Sequence, residues 1–287
     1  MPADLHCHTK LSDSSMGIDD LIVLAQKRGV TTIAITDRDC QAGTVRGKII
    51  GERRGITVIP GVEISAYDSK RSKCVEILAY LCDSPDRLEG LCHRNMLARK
   101  KASQMMPLKI ARKYPITPEL VLKCASGATA VFEQHIMHAL LECGMTDKVY
   151  SELYSELFSP ESPDNILVKT DYPEPKQVIE AIHEAGGIAV LSHPGKYGDM
   201  SLVTELSEHG LDGVEVWHPE NSDELKEKLI AFAAENGMLT VGGTEFMGMY
   251  SKSPISVGDY STPEASVKAL LTYKTKMKKK KAATENK

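Results

Sequence analysis

Asp4-Leu5-His6-Cys7-His8-Thr9 opens the chain with two histidines two positions apart. In an extended strand, residues i and i+2 project to one face, so the run reads as a first strand presenting two imidazoles side by side. Two neighbouring imidazoles can reach one divalent cation, and imidazole suits zinc, iron, nickel and manganese-type sites. Among nine histidines such a pair also arises by chance. The surrounding sequence decides between the two.

Working outward from that run, further β-rich stretches recur at Thr31 to Thr36, Thr57 to Ile64, Cys74 to Tyr80, Gly187 to Ser192, Gly213 to Trp217 and Met238 to Gly242. Helix-like stretches separate most of them: Ile18 to Arg28, Gly43 to Arg53, Pro175 to Ala185, Met200 to Glu208, Asp223 to Asn236 and Pro263 to Tyr273. Glycines at Gly29 and Gly237 stop two of these helices just before the next strand. Strands alternating with helices predict parallel pairing through right-handed crossovers, as a barrel or an open sheet.

One interval breaks the alternation. Between Leu81 and Gly186 no buried strand is apparent, whereas helical stretches lie near Leu88 to Lys113, Pro118 to Cys124, Glu133 to Cys143 and Asp147 to Phe158. The expected organisation is therefore a barrel domain from residues 1–80 and 187–273, a helical insertion over 81–186, and a basic, disordered tail over 274–287. An insertion after a parallel strand would sit over the C-terminal face of the sheet, as a cap above the site.

With 287 residues, 42% hydrophobic and 26% charged, the chain can bury a proper core and lacks the composition of a disordered protein. No apolar run approaches the ~18 residues that cross a bilayer, and the polar start carries no signal-peptide pattern, so a cytoplasmic location is expected. Seven widely spaced cysteines without a Cys-x-x-Cys pair indicate neither a disulfide framework nor a thiolate zinc site. Setting aside the tail's seven Lys and one Glu leaves 28 basic against 38 acidic side chains, a body of net charge −10. That balance argues against stable duplex nucleic-acid binding, while a local basic pocket can still take phosphate. The Lys278 to Lys281 run reads as solvated and is given no role.

Ligand-type side chains gather at the strand ends. His6 and His8 end the first strand, Asp13 follows it, Asp37 and Asp39 follow the second, Glu63 ends the third and Glu76 lies in the fourth. His193 closes the fifth and Glu245 follows the seventh. In a parallel barrel these ends converge on one face. Mixed imidazole and carboxylate ligands suit zinc, manganese or iron, and a carboxylate can bridge two ions that clamp a phosphate for in-line attack. Singly, Asp13, Asp37 and Asp39 read equally well as loop and helix caps.

The segments "DLHCHTKLSD", "AITDRD", "IPGVEIS", "VEILAY", "VLSHPGKYGD", "GVEVWHP" and "VGGTEFMGMY", in this order over residues 4 to about 250, resemble the PHP (polymerase and histidinol phosphatase) family of metal-dependent phosphoesterases. The resemblance is strongest to the insertion-bearing branch of 3′,5′-nucleoside bisphosphate phosphatases and 5′-to-3′ exoribonucleases. It implies an α/β fold, a distorted seven-stranded (βα)7 barrel. By the same resemblance His6, His8 and Glu63 fall on metal ligands, with Glu63 bridging. His193 falls on a ligand of the second metal and Asp13 on one of the third. His135 matches a histidine near the substrate, although the usual Arg-Pro before it is absent.

The chain departs from that pattern at four positions. Arg38 in Thr36-Asp37-Arg38-Asp39 and Glu76 in the fourth strand each stand where the family has His, and Glu245-Phe246-Met247 replaces Asp-Phe-His. Arg cannot ligate a metal and the Met thioether is a poor ligand for manganese or zinc. The expected set is thus one or two divalent ions per chain, manganese first with zinc or iron as alternatives, held by His6, His8, Glu63, Glu76, His193 and Glu245, with Asp13 left alone at the third position. Arg38 would stand where a third cation binds, either pairing with Asp13 or Asp37 or gripping a phosphate.

The function expected is hydrolysis of a phosphate ester of a small nucleotide or an RNA end by metal-activated hydroxide, with Arg38 and Asp37 as catalytic candidates. His135, Lys196, Arg94, Arg99 and His218 are the substrate-binding candidates. His93, His138, His183 and His209 read as structural. The alternative reading is a phosphate- or nucleotide-binding member of the same fold that has lost its chemistry.

Overall fold

Seven strands make one sheet whose spatial order follows the sequence, β1 (Ala3–Cys7), β2 (Thr32–Ile35), β3 (Thr57–Asp68), β4 (Lys73–Tyr80), β5 (Ile188–Leu191), β6 (Gly213–Trp217) and β7 (Leu239–Gly242). The structure, a computed structural model, describes residues 2–198 and 200–285, with side chains described as far as Met277. Helices α1 (Ile18–Lys27), α2 (Gly43–Arg54), α3 (Asp86–Ser103), α4 (Met106–Ala111), α5 (Pro118–Cys124), α6 (Glu133–Glu142), α7 (Glu152–Phe158), α8 (Pro175–Glu184), α9 (Met200–Glu208), α10 (Asp223–Asn236) and α11 (Glu264–Glu285) surround it. The sheet curls into a nearly closed (βα)7 barrel. Its seam is held by the Cys7–Phe246 bridge and by Gly243, where a Cβ would lie 2.4 Å from the His6 backbone nitrogen.

Pairing is parallel except around β4, which runs antiparallel to both β3 and β5. This corrects the all-parallel expectation. A parallel partner needs a crossover of a dozen residues or more, and only residues 69–72 join β3 to β4, which suffices for a hairpin alone. The reversal carries the chain to the N-terminal rim at Tyr80. The 18 residues of α3, about 27 Å of helix, then climb back to the opposite rim.

The stretch expected as one insertion divides between two apolar cores. Leu88, Leu91 and Cys92 of α3 and Val178, Ile179 and Ile182 of α8 pack with the barrel strands. Residues from Met106 to Leu167 form their own cluster with Met247 and Tyr250, the segment after β7. Over the stretch expected as a tail, α11 runs from Glu264 to Glu285. Lys274, at the start of that tail, pairs with Asp83 at 2.8 Å. The Lys278 to Lys281 side chains lie outside the described residues. No helix among those described is long and apolar enough to cross a membrane.

Local sequence explains how closely these layers pack. Gly43, Gly47 and Gly51 line one face of α2, and a Cβ at Gly51 would meet the Ile56 carbonyl oxygen at 2.6 Å, so only glycine lets the helix pack this closely on the chain entering β3. Inside the barrel, Leu5, Ala34, Ile59, Leu78, Val190 and Val241 come from six different strands to one cluster. That plug, sealed below by Leu270, supports the polar groups at the C-terminal ends of the parallel strands.

Candidate metal centre

The polar site begins where the apolar plug ends. His6 and His8, the latter one residue past β1, are both fully buried, and their Nε2 atoms approach to 3.1 Å. Each ring is oriented from behind: His6 Nδ1 meets Glu215 Oε1 at 3.0 Å and His8 Nδ1 meets Asp13 Oδ1 at 3.0 Å. The Glu215 carboxylate accepts from His6 Nδ1, and His8 Nδ1 hydrogen-bonds the Ser12 hydroxyl at 3.3 Å, whose own proton goes to Asp37, so the network assigns the proton of each ring to Nδ1 and leaves two Nε2 lone pairs facing each other. Two lone pairs at that distance need a proton or a cation between them.

Glu63 connects the pair to the third histidine. Its Oε1 lies 3.4 Å from His6 Nε2 and 3.3 Å from His193 Nε2, while its Oε2 lies 3.3 Å from His8 Nε2. Ligands on one ion at bond lengths near 2.1 Å are separated by about 3.0–3.4 Å in octahedral or tetrahedral geometry, and these contacts span that range. His193 is fully buried with neither ring nitrogen hydrogen-bonded. A buried imidazole without partners is anomalous in a folded core and is what a metal would satisfy. The donor set therefore fits a divalent ion, with His6, His8, Glu63, His193 and Glu245 as the groups that would hold it; ligand atoms of His6, His8, Glu63 and Glu245 all lie within 4.8 Å of one another.

The backbone is bent to achieve this. His193 (φ 29°), Glu245 (φ 47°) and Asp39 (φ 50°) are three of five non-glycine residues with positive φ among the described residues. Such conformations cost on the order of 1–3 kcal/mol each and persist only where surrounding bonds impose them. Here the His193 amide donates to Glu215 Oε2 at 2.8 Å, and the Asp39 amide to the Glu63 carbonyl at 2.7 Å.

Arg38 fills the remaining space. Its guanidinium is only 11% exposed and reaches Asp13 Oδ2 at 2.6 Å, Glu63 Oε2 at 2.7 Å, Glu76 Oε1 at 3.6 Å and, through Nη2, Glu245 Oε1. Burial pushes the Asp13 and Glu63 carboxyls up, but the Arg38 charge, aided by His8 and His6 respectively, holds both below the usual carboxylate range. Burial likewise opposes the charged form of His8, yet Asp13 and Glu63 outweigh it and raise the ring to about 9. Without a cation the histidine pair would thus hold a proton.

The other expected residues are placed as follows. Glu76 sits near the start of β4, which its reversed direction brings to the same rim, where it accepts from Tyr197 OH at 2.9 Å and lies 3.5 Å from Lys196 Nζ. His218 is buried with Nε2 3.4 Å from Glu245 Oε2; its Nδ1 accepts from the Glu220 amide, so Nε2 keeps the proton. Arg99 pairs with Asp39 Oδ2 at 2.7 Å and stacks against Phe132 and Tyr172. Asp37 is turned to a bracing role, accepting from the Thr9 amide and hydroxyl and from Ser12. Arg94 is exposed on α3, about 140° around the helix from Arg99, and is not brought to the site. His135 lines a smaller cavity of about 420 Å³ instead, its Nδ1 accepting from the Phe132 amide.

Glu215 is the residue that sequence reasoning missed. It is fully buried, and it holds both the His6 ring and the His193 backbone. Its signal was the alternation Val214-Glu215-Val216 in β6, which sets one carboxylate alone on the polar face. Above the centre opens a cavity of about 990 Å³, with Arg38, Glu76, Lys196 and Glu245 among its polar groups and Tyr67, Phe132, Tyr150, Tyr154 and Tyr172 among its walls.

Comparison with known proteins agrees with this geometry. The family described as the PHP domain matches residues 4–187. Phosphoribosyl 1,2-cyclic phosphate 1,2-diphosphodiesterase of Eggerthella lenta is 30% identical over 257 residues, covering 88% of this chain and 97% of the relative. The 5′-3′ exoribonuclease Rnm of Escherichia coli is 28% identical over 255 residues, covering 85% and 84%. A crystal structure from Bifidobacterium adolescentis, assigned as a metal-dependent phosphoesterase, superposes with a TM-score of 0.83 at 28% identity, covering 94% of this chain and 97% of that one.

Proposed function

The chain belongs to the PHP domain family and is a hydrolase of its phosphoesterase kind, and from that premise we propose that it cleaves a phosphate ester on the ribose of a small nucleotide or of an RNA end. The observation that carries the metal dependence is the His6–His8 pair, two Nε2 lone pairs 3.1 Å apart with the Nδ1 protons committed to Glu215 and to the Ser12 hydroxyl. The relatives support the substrate class, since one is named for a phosphoribosyl cyclic phosphate and another for RNA, and both substrates present phosphate on ribose.

When bound, divalent ions supply an activated nucleophile from water and neutralise charge on the phosphate. The residues of the chain do the rest. Ser12 and Glu215 fix the tautomers of His8 and His6, Asp13 adds a charge 3.0 Å from the His8 ring, and Glu63 spans the histidine pair and His193. Arg38 adds a permanent cation among Asp13, Glu63, Glu76 and Glu245, in place of an imidazole, and the site then needs no more than two ions. Lys196, 3.5 Å from Glu76, is a point charge for a phosphate oxygen, and His218 Nε2–H is a donor at the cavity floor. A cavity of about 990 Å³ falls at the upper end of ligand-sized pockets, and its tyrosines are stacking surfaces for a base.

A second reading, phosphate binding without turnover, is favoured by the four carboxylates already paired to Arg38. One experiment separates the two. Purified protein with manganese, zinc, iron or magnesium is offered phosphomonoesters, nucleoside bisphosphates, ribose cyclic phosphates and a 5′-phosphorylated RNA. Metal-dependent phosphate release that disappears in His8→Ala supports the enzyme. Ligand-raised melting temperature with no product under any metal supports the binder, and unchanged turnover in His8→Ala refutes the metal assignment.

A further inference from the structure

Beyond the barrel site, the α5–α6 pair carries a separate cluster of metal-ligating chemistry. Cys124 is the last residue of α5, and His138 and Glu142 lie one turn apart on α6, which packs against α5. One donor atom from each, a thiol sulfur, a ring nitrogen and a carboxylate oxygen, lies within 4.8 Å of the other two. His138 Nε2 and Glu142 Oε1 are already 3.5 Å apart, inside the roughly 3.3–3.8 Å edge of a tetrahedral site with bonds of about 2.0–2.3 Å. Cys124 and His138 are partly buried and Glu142 is exposed, so the cluster is open to solvent on its Glu142 side.

The far side of the His138 ring is held as a ligand histidine should be. Its Nδ1 lies 2.8 Å from the hydroxyl of Tyr250, in the segment after β7. With Nδ1–H donating to that oxygen, the Nε2 lone pair points to Glu142, the arrangement by which outer partners fix a metal-binding tautomer. The cavity of about 420 Å³ is lined by Cys124, His138, Glu142 and Tyr250 together, which leaves a fourth position open. Lys10 and Lys123 line it too, so that position suits water or an anion.

We propose that Cys124, His138 and Glu142 form a second, non-catalytic metal site for a zinc-class divalent ion, which ties α5 and α6 to the Tyr250 segment at the barrel mouth. One thiolate with one imidazole and one carboxylate selects zinc over manganese, whereas the barrel site offers no thiol. Cys7, the cysteine nearest to it in sequence, packs in an apolar cluster with Leu21 and Ile22. The two sites therefore differ in spectroscopic signature as well as in place.

Cobalt(II) titrated into the full-length protein tests this directly, because only a thiolate ligand gives the near-ultraviolet sulfur-to-cobalt charge-transfer band. The band is expected in the unmodified protein and in His8→Ala, lost in Cys124→Ser, and reached only at tenfold or more higher cobalt in Glu142→Gln. Absence of the band in the unmodified protein, or its survival in Cys124→Ser, overturns the proposal. Should Cys124→Ser fail to fold, alkylation of the unmodified protein with iodoacetamide decides: zinc must slow modification of Cys124 relative to chelated protein, and equal rates overturn it.

Discussion

Replacing Arg38 with alanine strips a buried cation from between four carboxylates. Asp13, Glu63, Glu76 and Glu245 are at most 13% exposed at their side chains, and each lies within 3.6 Å of the guanidinium. Removing one partner of a buried ion pair costs about 3–5 kcal/mol, because the remaining charges are left uncompensated. For a chain of 287 residues, at about 2 °C per kcal/mol, that is a fall of about 6–10 °C in melting temperature. The same reasoning fixes what should restore it. The vacated space lies among four carboxylate oxygens, a ligand set for a hard divalent ion. Manganese at a hundred times its dissociation constant returns about 2.7 kcal/mol, or roughly 5 °C, beyond any gain in the unmodified protein. Differential scanning fluorimetry of both proteins in chelator and in excess manganese reads this out, with metal content per chain measured alongside. Equal melting temperatures in chelator, or a variant that gains no more from manganese than the parent, would refute the assignment of Arg38 as a stand-in cation.

Other perturbations probe separate parts of the site. Glu215→Gln keeps the size of the side chain but weakens the orientation of His6 and His193, so metal affinity or turnover should fall by about 10–100-fold, as measured by metal titration and phosphate release, while the fold survives by circular dichroism. Gly243→Ala places a Cβ 2.4 Å from the His6 backbone and should cost at least about 1–3 kcal/mol in urea unfolding together with lost metal binding; a silent substitution would mean the β1–β7 seam is looser than drawn. Burial holds the His135 ring down at about 4, so the unfolded chain binds its proton first and stability drains as pH falls from about 6.5 to 4. Denaturant unfolding at pH 7 and 4.5 should show the parent losing about 2–3 kcal/mol more than His135→Gln over that interval; a difference independent of pH contradicts this.

Much of the barrel was legible because its signals are local. The Asp4-to-Thr9 run, the Gly29 and Gly237 helix stops and the alternation of strand and helix lie within windows of a few residues, and all seven strands fall where they were read. The reversal of β4 was also written locally, in a four-residue connection too short for a crossover, but the regular alternation around it masked that signal. The last helix is anchored by particular contacts rather than by composition: α11 packs Val267 and Leu270 under the barrel.

The sequence by itself determined which chemical groups would meet, because the strand ends of a (βα) barrel converge whatever their loops do: His6, His8, Glu63, His193 and Glu245 all reach one centre. Only the tertiary structure decided how they are held. That Glu215 stands behind His6, that Asp37 braces a loop while Asp13 orients His8, and that Arg38 engages four carboxylates from β3, β4 and two loops are facts of contact between residues as many as 209 positions apart. A pattern of residue types fixes which face a side chain takes; the partner it finds there depends on where every other strand has been laid.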